Sequence, residues 1–302
     1  MINRTFDKVK RFALNVRDLD KVVINQGRIL SRDYAKVEFA DLRMAEFQVF
    51  SQWGEDGIIQ YLIQNLDIAH KTFVEFGVET FREANCRFLM INDYWRGLVI
   101  DGSEDNIRII NGSPEMWKYG LQTVCAFIDR DNIVDLIDSA NFAGVGILSV
   151  DIDGVDYHVL ERAMACDPDV VIVEYNSTFG PNATVSVPYD KDFYRTKAHH
   201  SNLYYGASAA GFDWFLSKQG YSLVAGNSAG NNLFFVRQSL LNDRVKAITP
   251  KDAFAEACFS ESRDAQGGLT HLPYSARRKE IAEMPLIDVS TGAEIRVGDI
   301  PA

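Results

Sequence analysis

Five short apolar runs alternate with amphipathic segments between residues 71 and 176, and this alternation leaves few folds open. "KTFVEFGVET", "RGLVIDGSEDN", "LQTVCAFID", "VGILSVDIDG" and "DPDVVIVEYN" each read as a strand rich in Val, Ile and Phe. "EANCRFLMINDY", "DNIVDLIDSA" and "VDYHVLERAM" read as helices, and Pro168 stops the last of them. Strands and helices alternating at this spacing predict a parallel sheet covered by helices on both faces. The lack of polar alternation within the strands agrees with burial on both sides. Upstream, "SQWGEDGIIQYLIQNL" predicts a helix with Ser51 near its start and Ile58, Ile59, Leu62, Ile63 and Leu66 on one face. Downstream, "GASAAGFDWFLSKQG" predicts a helix closed by Gly220, and "YSLVAGNSAGNNLFFVRQ" predicts two strands. Their short Asn/Ser/Gly loop can join only antiparallel neighbours, so the sheet ends in a reversed hairpin.

This pattern divides the chain into a helical N-terminal extension (1–45), a catalytic-type domain (46–240) and a C-terminal extension (241–302). Phe6, Val9, Phe12, Ala13 and Val16 sit at helical spacing in the first, which packs either on the domain or on a second copy in a homo-oligomer; the sequence does not choose. The last predicts a helix over 251–258 and a short two-stranded piece near "PLIDVSTGAEIRV".

Net charge and cysteines limit the partners. A net charge of -11 disfavours nucleic acid, whose phosphates call for a basic face. Cys86, Cys125, Cys166 and Cys258 are far apart and form no CxxC pair, so a reduced, cytoplasmic setting is expected. The N-terminus has no long apolar core of a secretory signal, and no segment has the length of a membrane span.

In an open parallel sheet, ligands lie outside the carboxyl ends of the strands. Those ends carry Glu75–Gly77, Asp101, Phe127–Asp129, Asp151–Asp153 and Glu174–Asn176. Gly77 lets the backbone approach a ligand closely, or simply makes a tight turn. A dinucleotide fingerprint has three glycines against the pyrophosphate, and only one is here. This argues against the alternative of a nicotinamide-dependent oxidoreductase. Asp101, about 20 residues past Gly77, suits the two hydroxyls of a ribose. Phe127 and Ile128 suit the faces of an adenine, with Asp129 near its amino group, and Phe127 equally suits plain core.

Asp151 and Asp153 lie two apart on extended chain and point the same way. Glu174 and Asn176 repeat that spacing on the next strand. Packed carboxylates repel, so some bind a proton or a cation, and hard oxygen ligands of this kind suit Mg²⁺. Other roles stay open: Asp151 for an ammonium group, Asp153 as a helix cap, Glu174 as a partner for an arginine. His199 and His200 follow a long aromatic and polar insertion of the kind that forms lids, and either suits a general base, a metal ligand or a place in a solvated surface pair.

"SQWGEDGII", "FVEFGVE", "GLVIDGSEDNI", "ILSVDIDGVDYHVL" and "VVIVEYN", in this order, resemble the FkbM-type branch of S-adenosylmethionine (AdoMet)-dependent methyltransferases. "GYSLVAGNSAGNNLFFVR" is similar to the end of that fold, and the resemblance spans roughly residues 48–238. It implies a Rossmann-like methyltransferase fold, α/β, with a seven-stranded, mostly parallel sheet. It also implies AdoMet at the ends of the first three strands, against Glu75, Gly77, Asp101, Ile128 and Asp129, with Gln52 and Glu55 closing over it. The implied activity is O-methyl transfer to a small molecule, sugar or glycan. Val78 and Glu79 follow Gly77 where the family often has further glycines. "LSVDIDGVDY" and "VIVEYN" also resemble metal-dependent sugar O-methyltransferases, which carry two adjacent acids after the fifth strand; Tyr175 stands at the second here. A noncatalytic binding module on the same fold is the remaining alternative.

Overall fold

The apolar runs become strands in the computed structural model, which describes residues 19–259 and 261–301. They are β1 (Thr72–Phe76), β2 (Arg96–Asp101), β3 (Gln122–Cys125), β4 (Ile147–Val150) and β5 (Val170–Glu174). After a two-residue strand, β6 (Val185–Ser186), come β7 (Tyr221–Gly226), β8 (Asn232–Arg237), β9 (Pro285–Asp288) and β10 (Ala293–Arg296). The main sheet has seven strands in the order β3-β2-β1-β4-β5-β8-β7. Pairing is parallel from β3 through β5 and antiparallel from β5 to β8 and from β8 to β7. The predicted α/β class, seven strands and antiparallel end are therefore present. The direction reverses at β8 alone, because β7, antiparallel to β8, runs the same way as β5.

Successive strand residues point to opposite faces, so each strand feeds two cores. Val74, Leu98, Leu148 and Val171 face one side, with Ile133, Val159, Leu160 and Phe212 from the covering helices. Phe73, Val99, Ile147 and Val170 face the other, with Ile58, Leu62, Phe88 and Ile110. Burial on both sides explains why the strands are apolar throughout. The helix Arg87–Asp93 that follows β1 joins the second core, and the helix Asp156–Ala163 that follows β4 joins the first. Chain departing to opposite faces from neighbouring strands opens a crevice between the tips of β1 and β4, the topological switch point.

Residues 19–31 are helical, and Tyr34, Leu42 and Ala45 bury themselves beside Tyr61 and Leu62, so this stretch packs on its own domain. Phe6, Val9, Phe12, Ala13 and Val16 lie outside the described residues. The expected strand end near Asp129 falls at Cys125, and the expected helix over 251–258 is the single turn Pro250–Ala253. β9 and β10 are the predicted two-stranded piece, with β6 as an unpredicted third strand. No helix among the described residues is long and apolar enough to cross a membrane.

Candidate active site

A cavity of about 730 Å³ opens over the carboxyl tips of β1, β2, β4 and β5. Gly77, Asp101, Ile128, Asp151, Asp153 and Glu174 are among the residues that line it. Gly77 has φ +68°, and a Cβ there would overlap the carbonyl oxygen of Asp151. The glycine therefore brings two strand tips together across the switch point, besides leaving the cavity floor open.

Glu75 is buried and turned into the loop that follows β1. Its carboxylate accepts hydrogen bonds from Asn85 N (2.7 Å) and Cys86 N (3.1 Å), at the start of the helix Arg87–Asp93. Burial pushes its pKa up to about 7, against the pull of those two N–H groups. Asp101 is also buried. Its Oδ1 accepts from Ser103 N (2.8 Å) and Asn106 Nδ2 (3.0 Å), which lock the side chain at the cavity edge. Oδ2 accepts no hydrogen bond among the described residues. The Phe127 ring is 73% exposed, although it packs over Gly102, where a Cβ would come within 2.9 Å of it. A large aromatic ring kept in the open on a cavity wall suits the face of a planar ligand.

Asp129 is placed differently from the expected adenine contact. Its Oδ1 accepts from Asp131 N (2.8 Å) and Asn132 N (2.9 Å) at the start of the helix Ile133–Asp138, and it does not line the cavity. Gln52 does line the cavity. Glu55 does not: it is fully buried, accepting from Trp53 N (3.0 Å), Gly54 N (2.9 Å), Asn227 Nδ2 (2.6 Å) and Asn232 Nδ2 (2.9 Å). It ties the Gln52–Trp53 wall to the β7–β8 loop. Trp53 in turn stacks on Phe259 at 5.8 Å, and both line the cavity.

The acids cluster as expected. One carboxylate oxygen from each of Asp151, Asp153 and Glu174 lies within 4.8 Å of the others. Asp153 takes φ +53° in the turn after β4. Asp156, which the sequence reading passed over, builds that turn: buried, it accepts from Ile152 N (2.7 Å) and Gly154 N (2.8 Å). Its place, three residues after Asp153 at the head of a helix, was the available signal. Asp151 and Glu174 are neighbours in this cluster. Burial drives both carboxyls well above their usual range, repulsion among the acids adds to it, and Arg195 pulls back. Glu174 is only 7% exposed, and its Oε2 has no hydrogen-bond partner.

Arg195, also unforeseen, comes from the insertion after β5. It pairs with Asp153, donates to Asn202 O (2.8 Å) and Glu261 Oε2 (3.2 Å), and lies 3.9 Å above the Tyr205 ring. No local pattern links residue 195 to residues 153 and 261.

The structure keeps three predicted residues away from the acids. Asn176 Oδ1 accepts from Thr178 N and its Nδ2 donates to Leu203 O and Tyr205 O, so the amide is held by backbone groups, and the residue does not line the cavity. His199 Nδ1 lies 2.8 Å from Ser201 Oγ, and His200 Nε2 lies 3.2 Å from Glu280. Neither histidine lines the cavity, because the insertion turns this part outward. As donors, the three clustered carboxylates and the orphaned Glu174 Oε2 fit a hard divalent cation.

No family model matches the sequence, and no curated protein matches it. Solved structures similar in fold include the O-methyltransferase from Bacillus cereus in complex with S-adenosylhomocysteine (AdoHcy), at 9% identity over 71% of this chain and 90% of that one, TM-score 0.37. A second is the N-terminal domain of EvdMO1 with AdoHcy bound, at 11% identity over 58% and 74%, TM-score 0.35. A third is an AdoMet-dependent methyltransferase from Clostridium acetobutylicum, at 15% identity over 46% and 56%, TM-score 0.30.

Proposed function

We propose that this protein is an AdoMet-dependent O-methyltransferase of the FkbM type, acting on a hydroxyl of a small molecule, sugar or glycan. One observation carries the reading: Asp101, held at the edge with an oxygen to spare, opens on the same cavity as the carboxyl pair Asp151–Glu174. The first suits a ribose and the second suits an acceptor hydroxyl. Phe127 and Ile128 offer faces for the adenine. Gln52 and Trp53, braced by Glu55, offer a further part of the wall.

In this reading the acceptor oxygen attacks the sulfonium methyl in line. The carbon–oxygen bond forms as the carbon–sulfur bond breaks, and the electron pair returns to sulfur to give AdoHcy. The hydroxyl proton passes to the Asp151–Glu174 pair, whose proton affinity is raised by burial and by repulsion among the acids. Holding the reactants in line and apart from water supplies much of the rate. Asp151, Asp153 and Glu174 are the residues that would hold Mg²⁺, whose chemistry when bound is to acidify an acceptor hydroxyl. His199 and His200 have no part in this scheme.

Isothermal titration with AdoMet and AdoHcy tests the reading, with fluorescence titration by NADH as the counter-test. Saturable heat with AdoHcy and no NADH response is expected. A response to NADH alone favours the oxidoreductase. AdoHcy binding without turnover of any hydroxyl acceptor favours the noncatalytic module.

A further inference from the structure

The acid cluster brings its own cation. Among the described residues, the only ion pair made by Asp151, Asp153 or Glu174 is that of Asp153 with Arg195. The arginine side chain is 14% exposed, and its planar group is held on four sides: by Asp153, by Asn202 O, by Glu261 and by the Tyr205 ring. Asp153 is more open, with its side chain 56% exposed. Glu261 belongs to the C-terminal extension and also accepts from Asn202 Nδ2 at 3.1 Å. A guanidinium makes such flat, multiple contacts well and an ammonium does not. Glu261 gives Arg195 a second carboxylate, so the arginine can release Asp153 and remain paired.

Glu174 supplies an independent sign that the cluster is built to receive something. Its side chain is more than nine-tenths buried, it lines the cavity, and Oε2 has no partner. A buried acceptor left unpaired is costly unless an ion or a donor meets it. A dication at that oxygen would also draw on the nearby oxygens of Asp151 and Asp153. Arg195 and the dication then compete for one carboxylate, and their like charges repel.

We infer that Arg195 is the resident cation of this cluster, a positioning residue that a divalent ion must displace from Asp153 in order to bind. The insertion after β5, the C-terminal extension and the acid cluster are joined through this one side chain. Cation entry thereby loosens the wall that carries Arg195 while leaving its link to Glu261. The inference deepens the reading of these acids as the acceptor side of the site, but its test uses no methyl donor.

Mn²⁺ binding is measured by electron paramagnetic resonance and calorimetry on the full chain and on Arg195→Gln and Arg195→Lys. Removing the charge is expected to tighten Mn²⁺ binding at least about tenfold, and keeping it as lysine to tighten it less than that. Adding Asp153→Asn to Arg195→Gln is expected to reverse the gain. Equal or weaker binding by Arg195→Gln, or no binding by any form, overturns the inference. A second measurement covers failure of Arg195→Gln to fold: in the wild-type chain, the Arg195 Nε–H resonance is followed as Mg²⁺ is added. A saturable shift is expected, and an unmoved resonance while Mg²⁺ binds overturns it. An AdoHcy titration of the same samples judges the methyl-transfer reading separately.

Discussion

The carbonyl oxygen of Asp151 lies where a Cβ on residue 77 would stand. The tips of β1 and β4 therefore meet through a glycine, and the first residue of the acid cluster is set by a contact that also shapes the cavity. Gly77→Ala adds a clash with rigid backbone to a φ of +68°. The expected loss of stability is about 3 kcal/mol or more, read by urea denaturation. Native-like stability in this variant would contradict the packing described.

Glu55 is buried behind Gln52 and Trp53, accepting from two backbone N–H groups and two asparagine amides. Glu55→Ala leaves those donors buried and unanswered. A loss on the order of 3 kcal/mol is expected, with weaker AdoHcy binding as Trp53 loses its brace, and Glu55→Gln is expected to lose less. Thermal melts and calorimetry read the two effects together. AdoHcy affinity unchanged in a folded Glu55→Ala would separate this residue from the site.

Glu75 makes stability depend on pH. Its pKa rises on folding from 4.5 to about 7, so between those values the folded state binds the proton that the unfolded state has released. The contribution is complete below pH 4.5 and is lost as pH rises through about 7, on the order of 3 kcal/mol in all. Asp56, raised by burial to about 6, acts in the same direction. Unfolding free energies from pH 4.5 to 8 should fall more steeply for wild type than for Glu75→Gln. Identical slopes would mean that Glu75 is ionised throughout.

Asp129 separates structure from binding. It anchors the turn before the helix Ile133–Asp138, outside the cavity. Asp129→Ala is expected to cost about 1 kcal/mol, as helix-start residues do. AdoHcy affinity should stay within about threefold, and a larger drop would return this residue to the cofactor contacts.

These residues also mark how far sequence reasoning reaches. Strands such as Val170–Glu174 are legible because burial on both faces forces an unbroken apolar run, and the acids at their tips follow from where such strands end. Asp101, Asp151 and Glu174 were readable in that way. Arg195 was not, because its partners lie 42 and 66 residues away and meet it only through the folded insertion and C-terminal extension. His199, His200 and Asn176 fail for the same reason in reverse. Their residue types suit the chemistry, but loop packing turns the histidines out and gives the asparagine to backbone groups. Asp129 shows a local ambiguity: an aspartate after a strand serves a ligand or the next helix equally well, and the fold decides which.

The most direct measurement is calorimetric titration of AdoHcy into the wild-type chain and Asp101→Ala. Saturable binding by wild type and an affinity at least about tenfold weaker in a folded Asp101→Ala are expected, since a charged acceptor for the ribose is lost. No heat from wild type at concentrations well above micromolar, or equal affinity in the two chains, would contradict the assignment of this cavity to AdoMet.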